Sequence, residues 1–177
     1  MIEALISSKT RIKLLLKFFL NSNATAYLRG LESEFGESSN AIRLELNRFE
    51  EAGMIESRMD GNKKIFQANT RHPLFKELHN ILLKYVGLDQ IIENVIERLG
   101  EVQKVFLVGD FSKGLDSEII DLIFIGDVDK GYLLQLVDKV EGLIHRKIRY
   151  LIYSEAEATT IDWAKYNPLP LLLWSRD

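Results

Sequence analysis

The chain has 177 residues, with 23 Lys plus Arg against 26 Asp plus Glu, no Cys and a formal net charge of −3. At 46% hydrophobic and 28% charged residues it has globular composition, and its length suits one domain or two small ones. That excludes a mostly disordered chain, a collagen-like fibre and a strongly basic histone-like protein. Without Cys there is no disulfide, thiolate metal site or Cys nucleophile, and a reducing cytoplasm is the expected location. No apolar run reaches the roughly 18–20 residues that span a bilayer, and the start of the chain lacks the order of a signal peptide, so no membrane association is expected. Residues 1–70 hold ten Lys/Arg and nine Asp/Glu, and residues 71–177 hold 13 and 17, a mild asymmetry.

In chain order, Ile12, Leu15, Leu16 and Phe19 follow the spacing of one buried helix face. Asn21-Ser22-Asn23 ends that helix in a turn. A second, shorter helix carries Leu28, Leu31 and Phe35 and is closed by Gly36. Ser38 or Ser39 caps a third helix that runs to about Ala52, with Gly53 at its end. Met54 to Ala68 reads as a hairpin around Asp60-Gly61. Pro73 is placed to open a helix bearing Leu74, Phe75, Leu78, Ile81, Leu82 and Tyr85. Gly87 interrupts it, and Leu88, Ile91, Ile92, Val95, Ile96 and Leu99 define a further amphipathic helix ended by Gly100. Val102–Val108, Ile119–Ile125 and Lys147–Tyr153 read as strands, and Tyr132–Ile144 as a helix. The apolar, aromatic tail from Ile161 to Trp174 is expected to dock on its own domain in preference to a partner.

On the third helix, at about 100° per residue, Ile42, Leu46 and Phe49 share the inward side. Asn40, Arg43 and Asn47 lie opposite, with Ser39 near them. Arg pairs bidentately with guanine and Asn with adenine in the major groove, and Arg48 on the flank suits a phosphate. Arg58, Lys63 and Lys64 of the hairpin add positive charge, while Glu45, Glu50 and Glu51 count against strong nonspecific DNA binding. A solvated polar helix face and a Lys-protected strand edge are the plainer readings of the same residues.

Helix, helix, tight turn, helix and hairpin make a pattern that resembles the ArsR-like winged helix-turn-helix domains of bacterial regulators. The resemblance is carried by Tyr27-Leu28-Arg29-Gly30-Leu31, Ser38-Ser39-Asn40-Ala41-Ile42, and Leu46 through Glu51-Ala52-Gly53-Met54-Ile55. It implies a double-stranded DNA partner, bound through Ser39, Asn40, Arg43, Asn47, Arg48, Arg58, Lys63 and Lys64. It also implies a homodimer paired through the helix after the wing.

The second half, strand, Gly-rich turn, strand, helix, strand, resembles the minimal nucleotidyltransferase fold of the polymerase-beta type. The degenerate motif is Gly109, Asp110, Ser112, Lys113 and Gly114, then Asp121: the two glycines match and Asp121 keeps the second carboxylate, but Lys113 stands where Arg is usual and Asp110 replaces a small Ser. That family holds Mg²⁺ with two Asp on one strand and a third carboxylate on a later one, because clustered carboxylates and metal must neutralise charge on the transferred phosphate. Here Ile119 takes the place of the first Asp, and Ile148 to Leu151 supplies no carboxylate. Glu118 points to the other strand face. The resemblance therefore implies a catalytically inactive relative with no catalytic residue, metal or cofactor, whose degenerate pocket has room for a small-molecule or nucleotide effector. An active nucleotidyltransferase with a substrate-positioning winged helix, and a protein-interaction scaffold, remain open alternatives. His72, His79 and His145 are too scattered for a metal site and read as structural or surface residues.

The expected fold is α+β: a winged helix over 1–70, a linker or dimerisation helix over 71–87, and a small α/β domain over 88–177.

Overall fold

Ser8 starts the first helix, because its hydroxyl accepts the Arg11 backbone N–H at 3.2 Å. α1 (Lys9–Leu15) continues as a π-helical segment, Leu16–Leu20. A computed structural model describes residues 2–166 and 169–176. It divides into two units, one of residues Met1–Tyr85 with Lys113–Leu115, the other of Val86–Ser112 and Asp116–Asp177. The fold is mixed α+β, with one sheet in each unit.

In the first unit the π segment corrects the simple amphipathic expectation. Leu14, Leu16, Phe18, Phe19 and Leu20 are all buried, so the helix is enclosed on every side. Lys17 is buried with them and satisfies its ammonium on Glu34 at 2.7 Å. A short strand that the sequence did not announce follows, β1 (Thr25–Tyr27), and leads into α2 (Leu28–Phe35). Gly36, at φ 63°, closes α2. α3 (Ser39–Glu51) is capped by the Ser38 hydroxyl, which accepts from Ala41 N. Ile42, Leu46 and Phe49 are buried as the wheel predicts. The hairpin is β2 (Ile55–Asp60) and β3 (Lys63–Ala68), and Asp60 pairs with Lys63 across a Gly61-Asn62 turn. β3 lies central in an antiparallel sheet of order β1-β3-β2.

α4 (Phe75–Val86) begins two residues later than Pro73. The His72 ring accepts the Leu74 N–H at 3.2 Å, which uses the preceding residues as a turn. Phe75 packs on Phe19 at 5.6 Å between ring centres, and His79 Nδ1 donates to the Phe19 carbonyl oxygen at 2.7 Å. Leu82 is buried, so it belongs to the inner side of α4, while Leu74 and Ile81 are 56% and 50% exposed.

The second unit opens with α5 (Leu88–Ile91), a π segment Ile92–Ile96 and α6 (Glu97–Leu99), where the sequence suggested one regular helix. β4 (Val102–Val108) runs into a helical turn, α7 (Gly109–Ser112). β5 (Ile119–Gly126), α8 (Lys130–Ile144) and β6 (Lys147–Tyr153) follow, with β5 and β6 parallel as a helical crossover requires. A short α9 (Glu155–Ala158) precedes the tail. The tail docks on its own unit: β7 (Leu171–Ser175) pairs with β4 and completes a sheet of order β6-β5-β4-β7. Asn167 and Pro168 of the tail lie outside the described residues. Val105, Leu107, Ile120, Leu122 and Phe124 are buried with Leu133, Val137 and Val140 of α8. The opposite sheet face carries Phe106, on which the Trp163 ring stacks at 5.0 Å. No helix among the described residues is long and apolar enough to cross a membrane.

Glu45 is the one carboxylate on the inner side of α3. Arg11 Nε donates to it at 2.8 Å, and Arg48 donates from the next turn at 3.2 Å. Burial alone pushes the Glu45 carboxyl up, but the Arg11 hydrogen bond and charge, with Ser8 and Arg48, outweigh it and hold the group below its ordinary 4.5. Its contribution to stability is therefore complete above that value and is lost as pH falls through the lowered one. Glu45→Ala should cost the first unit about 1–2 kcal/mol in urea unfolding at neutral pH, since Arg11 stays partly hydrated. The difference from wild type should shrink as the titration goes below pH 4.5.

Candidate nucleic-acid interface and degenerate metal site

The outward side of α3 follows from its inward side. With Ile42, Glu45, Leu46 and Phe49 packed inside, Asn40, Arg43, Asn47 and Arg48 are exposed and Ser39 is half-buried. Leu44, 50% exposed, lies among them. Glu45 is thus withdrawn from the outer face, contrary to its sequence reading as a repelling charge there. Glu50 is spent as well: its two oxygens accept from the Ser57 hydroxyl and, at 2.7 Å, from Lys64. Those two bonds, Lys64 first, hold the Glu50 carboxyl below its ordinary value.

The hairpin residues divide by partner. Lys64 is ion-paired with Glu50, and its Nζ stands 5.1 Å from the Phe66 ring centre. Arg58 donates to Gln67 at 3.4 Å across the sheet. Lys63 is exposed and holds its Nζ 4.6 Å from the Tyr27 ring centre. The Tyr27 ring lies over Gly30, where a Cβ would come within a tight 3.2 Å of it.

These elements enclose a groove of about 480 Å³. Arg43, Leu46 and Asn47 of α3 form one wall and Asn62, Lys63, Lys64 and Phe66 of the hairpin the other, with Tyr27, Leu28 and Arg29 at its end. So Arg43, Asn47, Lys63 and Lys64, named from sequence, share one concavity. Ser39, Asn40, Arg48 and Arg58 do not line it. Tyr27, Arg29 and Asn62 were missed; Arg29 was legible as the exposed neighbour of the inward Leu28, and Asn62 as a turn residue. Among the described residues Arg29 and Arg43 have no carboxylate partner.

In the second unit the register of the sheet decides the chemistry. Asp121 on β5 lies opposite Val108 on β4 and Arg149 on β6. Arg149 Nε donates to Asp121 Oδ1 at 2.6 Å. The other oxygen lies against Gly109, where a Cβ would come within 2.3 Å of it, at a φ of 70° that also favours glycine. The hydrogen bond and charge of Asp121, with Asp110 adding less, push the Arg149 guanidinium up from its ordinary range.

The other motif residues do not gather round this pair. Ser112 is buried, and its hydroxyl donates to the Gly109 carbonyl at 2.7 Å, inside the turn. Asp110 is exposed. Lys113 and Gly114 group with the first unit. Glu118 precedes β5 and lines a separate depression with Glu141 and His145. A divalent metal of the kind held by the family that the second half resembles does not fit here. The lone Asp121 gives one oxygen to Arg149, and its neighbour on β6 is a cation where a third carboxylate is needed. Among the described residues no three His, Asp or Glu side chains converge on one point.

No family model and no curated protein matches the chain. Some solved structures resemble it at low level. A protein from Archaeoglobus fulgidus is 19% identical, over 46% of this chain and 93% of that one, with a TM-score of 0.38. A chain from the Shewanella oneidensis complex of tri-AMPylated HEPN toxin with MNT antitoxin is 15% identical, over 50% and 70%, at 0.36. A candidate nucleotidyltransferase from Sulfolobus solfataricus is 20% identical, over 53% and 83%, at 0.34. No residue's role is carried over from any of the three.

Proposed function

We propose that this protein is a dimeric, DNA-binding transcriptional regulator: a winged helix fused to a nucleotidyltransferase-like domain that performs no transfer. The observation that carries the DNA reading is the exposed row Asn40, Arg43 and Asn47 on α3, with Lys63 of the hairpin facing Arg43 and Asn47 across one groove. The order α1, β1, α2, α3, β2, β3 supports the winged helix. α3 then enters the major groove, with Arg43, Asn40 and Asn47 at base edges and Ser39 and Arg48 at the backbone. Lys63 and Arg58 serve phosphates from the hairpin, and Lys64 does so only by releasing Glu50. Expected binding is salt-sensitive, in anisotropy titrations against genomic duplexes that include its own promoter. Arg43→Ala should cost about 1–3 kcal/mol on the preferred site, and Lys63→Ala should weaken all duplexes alike and lower the salt slope by about one. Binding to no duplex at low salt would remove the DNA reading.

The apolar stripe Leu74, Leu78, Ile81 and Tyr85, of which Leu74 and Ile81 are exposed, supports pairing of two copies through α4, since it recurs at i, i+4, i+7 and i+11. Leu78 and Tyr85 are half-buried and Leu82 faces inward. A twofold protein matches a twofold DNA site. Light scattering at micromolar concentration should give a dimer for the wild type and a folded monomer for Ile81→Glu, because a charge is costly inside an apolar contact.

The lack of transfer rests on Asp121. An acid that is bonded to Arg149, with no second carboxylate beside it, holds β6 rather than a metal and nucleotide. Incubation with each labelled nucleoside triphosphate, Mg²⁺ or Mn²⁺ and protein, tRNA or aminoglycoside acceptors should give no incorporation. Incorporation abolished by both Asp121→Asn and Glu118→Gln would instead establish an active nucleotidyltransferase.

A further inference from the structure

The groove of the first unit has two chemically different parts. Its depth is apolar: Leu46 and Phe66 are 1% and 5% exposed, and Leu28 and the Tyr27 ring add apolar lining at its end. Its rim is cationic: Arg29, Arg43 and Lys63 stand there, and no carboxylate lines it. Glu50, the acid beside Lys64, is bound to Lys64 and Ser57, and Asp60 stands opposite Lys63 at the hairpin tip. At about 480 Å³ the space lies in the range of small-molecule pockets, roughly 300–1,000 Å³.

A DNA backbone explains only half of this. Phosphates need the rim, but a charged, hydrated strand gains nothing from an apolar floor, and the bases of an intact duplex stay stacked outside the concavity. A flat apolar ring does gain from that floor, by leaving water. An anionic group on the same molecule then meets the Arg29 and Arg43 guanidiniums, which offer planar, bidentate donors with no competing acid. The asparagine amides of Asn47 and Asn62 can orient polar substituents on the ring.

We propose that the groove between α3 and the β2–β3 hairpin binds a small aromatic anion, and that this ligand excludes DNA. The exclusion rests on the DNA reading above, because the ligand occupies Arg43, Asn47 and Lys63, which that reading gives to the duplex. The pocket itself does not rest on it. Regulation then needs no movement of the second unit: the effector and the operator compete for the same side chains.

The test uses the full chain and 8-anilinonaphthalene-1-sulfonate as the aromatic anion, with uncharged N-phenyl-1-naphthylamine beside it. Fluorescence titration should show the sulfonate binding, and Arg29→Ala and Arg43→Ala should each weaken it about tenfold, the order of one charge-assisted hydrogen bond. The neutral probe should respond little to either change. Both arginines are exposed, so circular dichroism of the variants should match the wild type. A duplex that binds in the anisotropy screen should release the sulfonate, and the sulfonate should raise that duplex's apparent Kd. Sulfonate fluorescence that is absent, or indifferent to both arginine changes, would overturn the pocket. Arginine-dependent sulfonate binding together with a duplex that binds without displacing it would overturn the competition and keep the DNA reading. Arginine-dependent binding with no duplex bound at all would keep the pocket and remove the DNA reading.

Discussion

The rotation of α3 depends on Glu45. A carboxylate on the inner side of a helix is tolerated only when its charge is met, and Arg11 of α1 meets it at 2.8 Å. That contact ties α1 to α3 and works with Ile42, Leu46 and Phe49 to hold one side of α3 against the core. The outer side is then fixed, since residues three and four apart share a face. Asn40, Arg43 and Asn47 are exposed because Glu45 is not. The clamp also draws in Arg48, which donates to Glu45 and is half exposed, so one acid sets both the backbone position of α3 and the bearing of a flanking cation.

The second unit uses the same device with the opposite consequence. Parallel pairing of β5 with β6 places Arg149 beside Asp121, and antiparallel pairing with β4 places Val108 on the other side. The arginine bonds one carboxylate oxygen, and the other lies beside the bare backbone of Gly109. Asp121 thus ties β5 to the edge strand β6 and lies beside the start of the α7 turn. The chemistry is set by register: a one-residue slip of β6 would turn Arg149 to the other face.

Much of the first unit was legible because its pattern is two-sided. α3 shows apolar residues at the helical period on one side and Asn-Arg-Asn on the other, and the hairpin has a strong turn signal at Asp60-Gly61. The rest was hidden for physical reasons. β1 is three residues long and exists through its pairing with β3, which no local pattern announces. The π segments at Leu16–Leu20 and Ile92–Ile96 lie in apolar runs whose period does not distinguish them from α-helix. Glu45 was misread because Glu is seldom buried unless paired, and its partner is far away in sequence. On α4, Leu82 and Ile81 are adjacent apolar residues, and only packing shows that the first faces in and the second out. At the second site, the loss of carboxylates was readable, but the Asp121–Arg149 bond needed the strand register.

Net charge hides what matters for binding. The chain carries −3 overall, and residues 1–70 are nearly balanced. What decides local potential is which acids are already engaged. In the first unit Glu34, Glu37, Glu45, Glu50 and Glu56 are each held by a cation, namely Lys17, Lys13, Arg11, Lys64 and Arg71. These pairs neutralise one another at close range and leave little field beyond a screening length of about 8–10 Å. Arg29 and Arg43 stand outside that pairing and Lys63 leans on a neutral ring, so one groove is lined by three cations outside these ion pairs. On the proposed reading a polyanion and a small anion compete for that place, and the apolar lining beneath the cations separates them: it rewards a ring that fits inside and is indifferent to a duplex that stays outside.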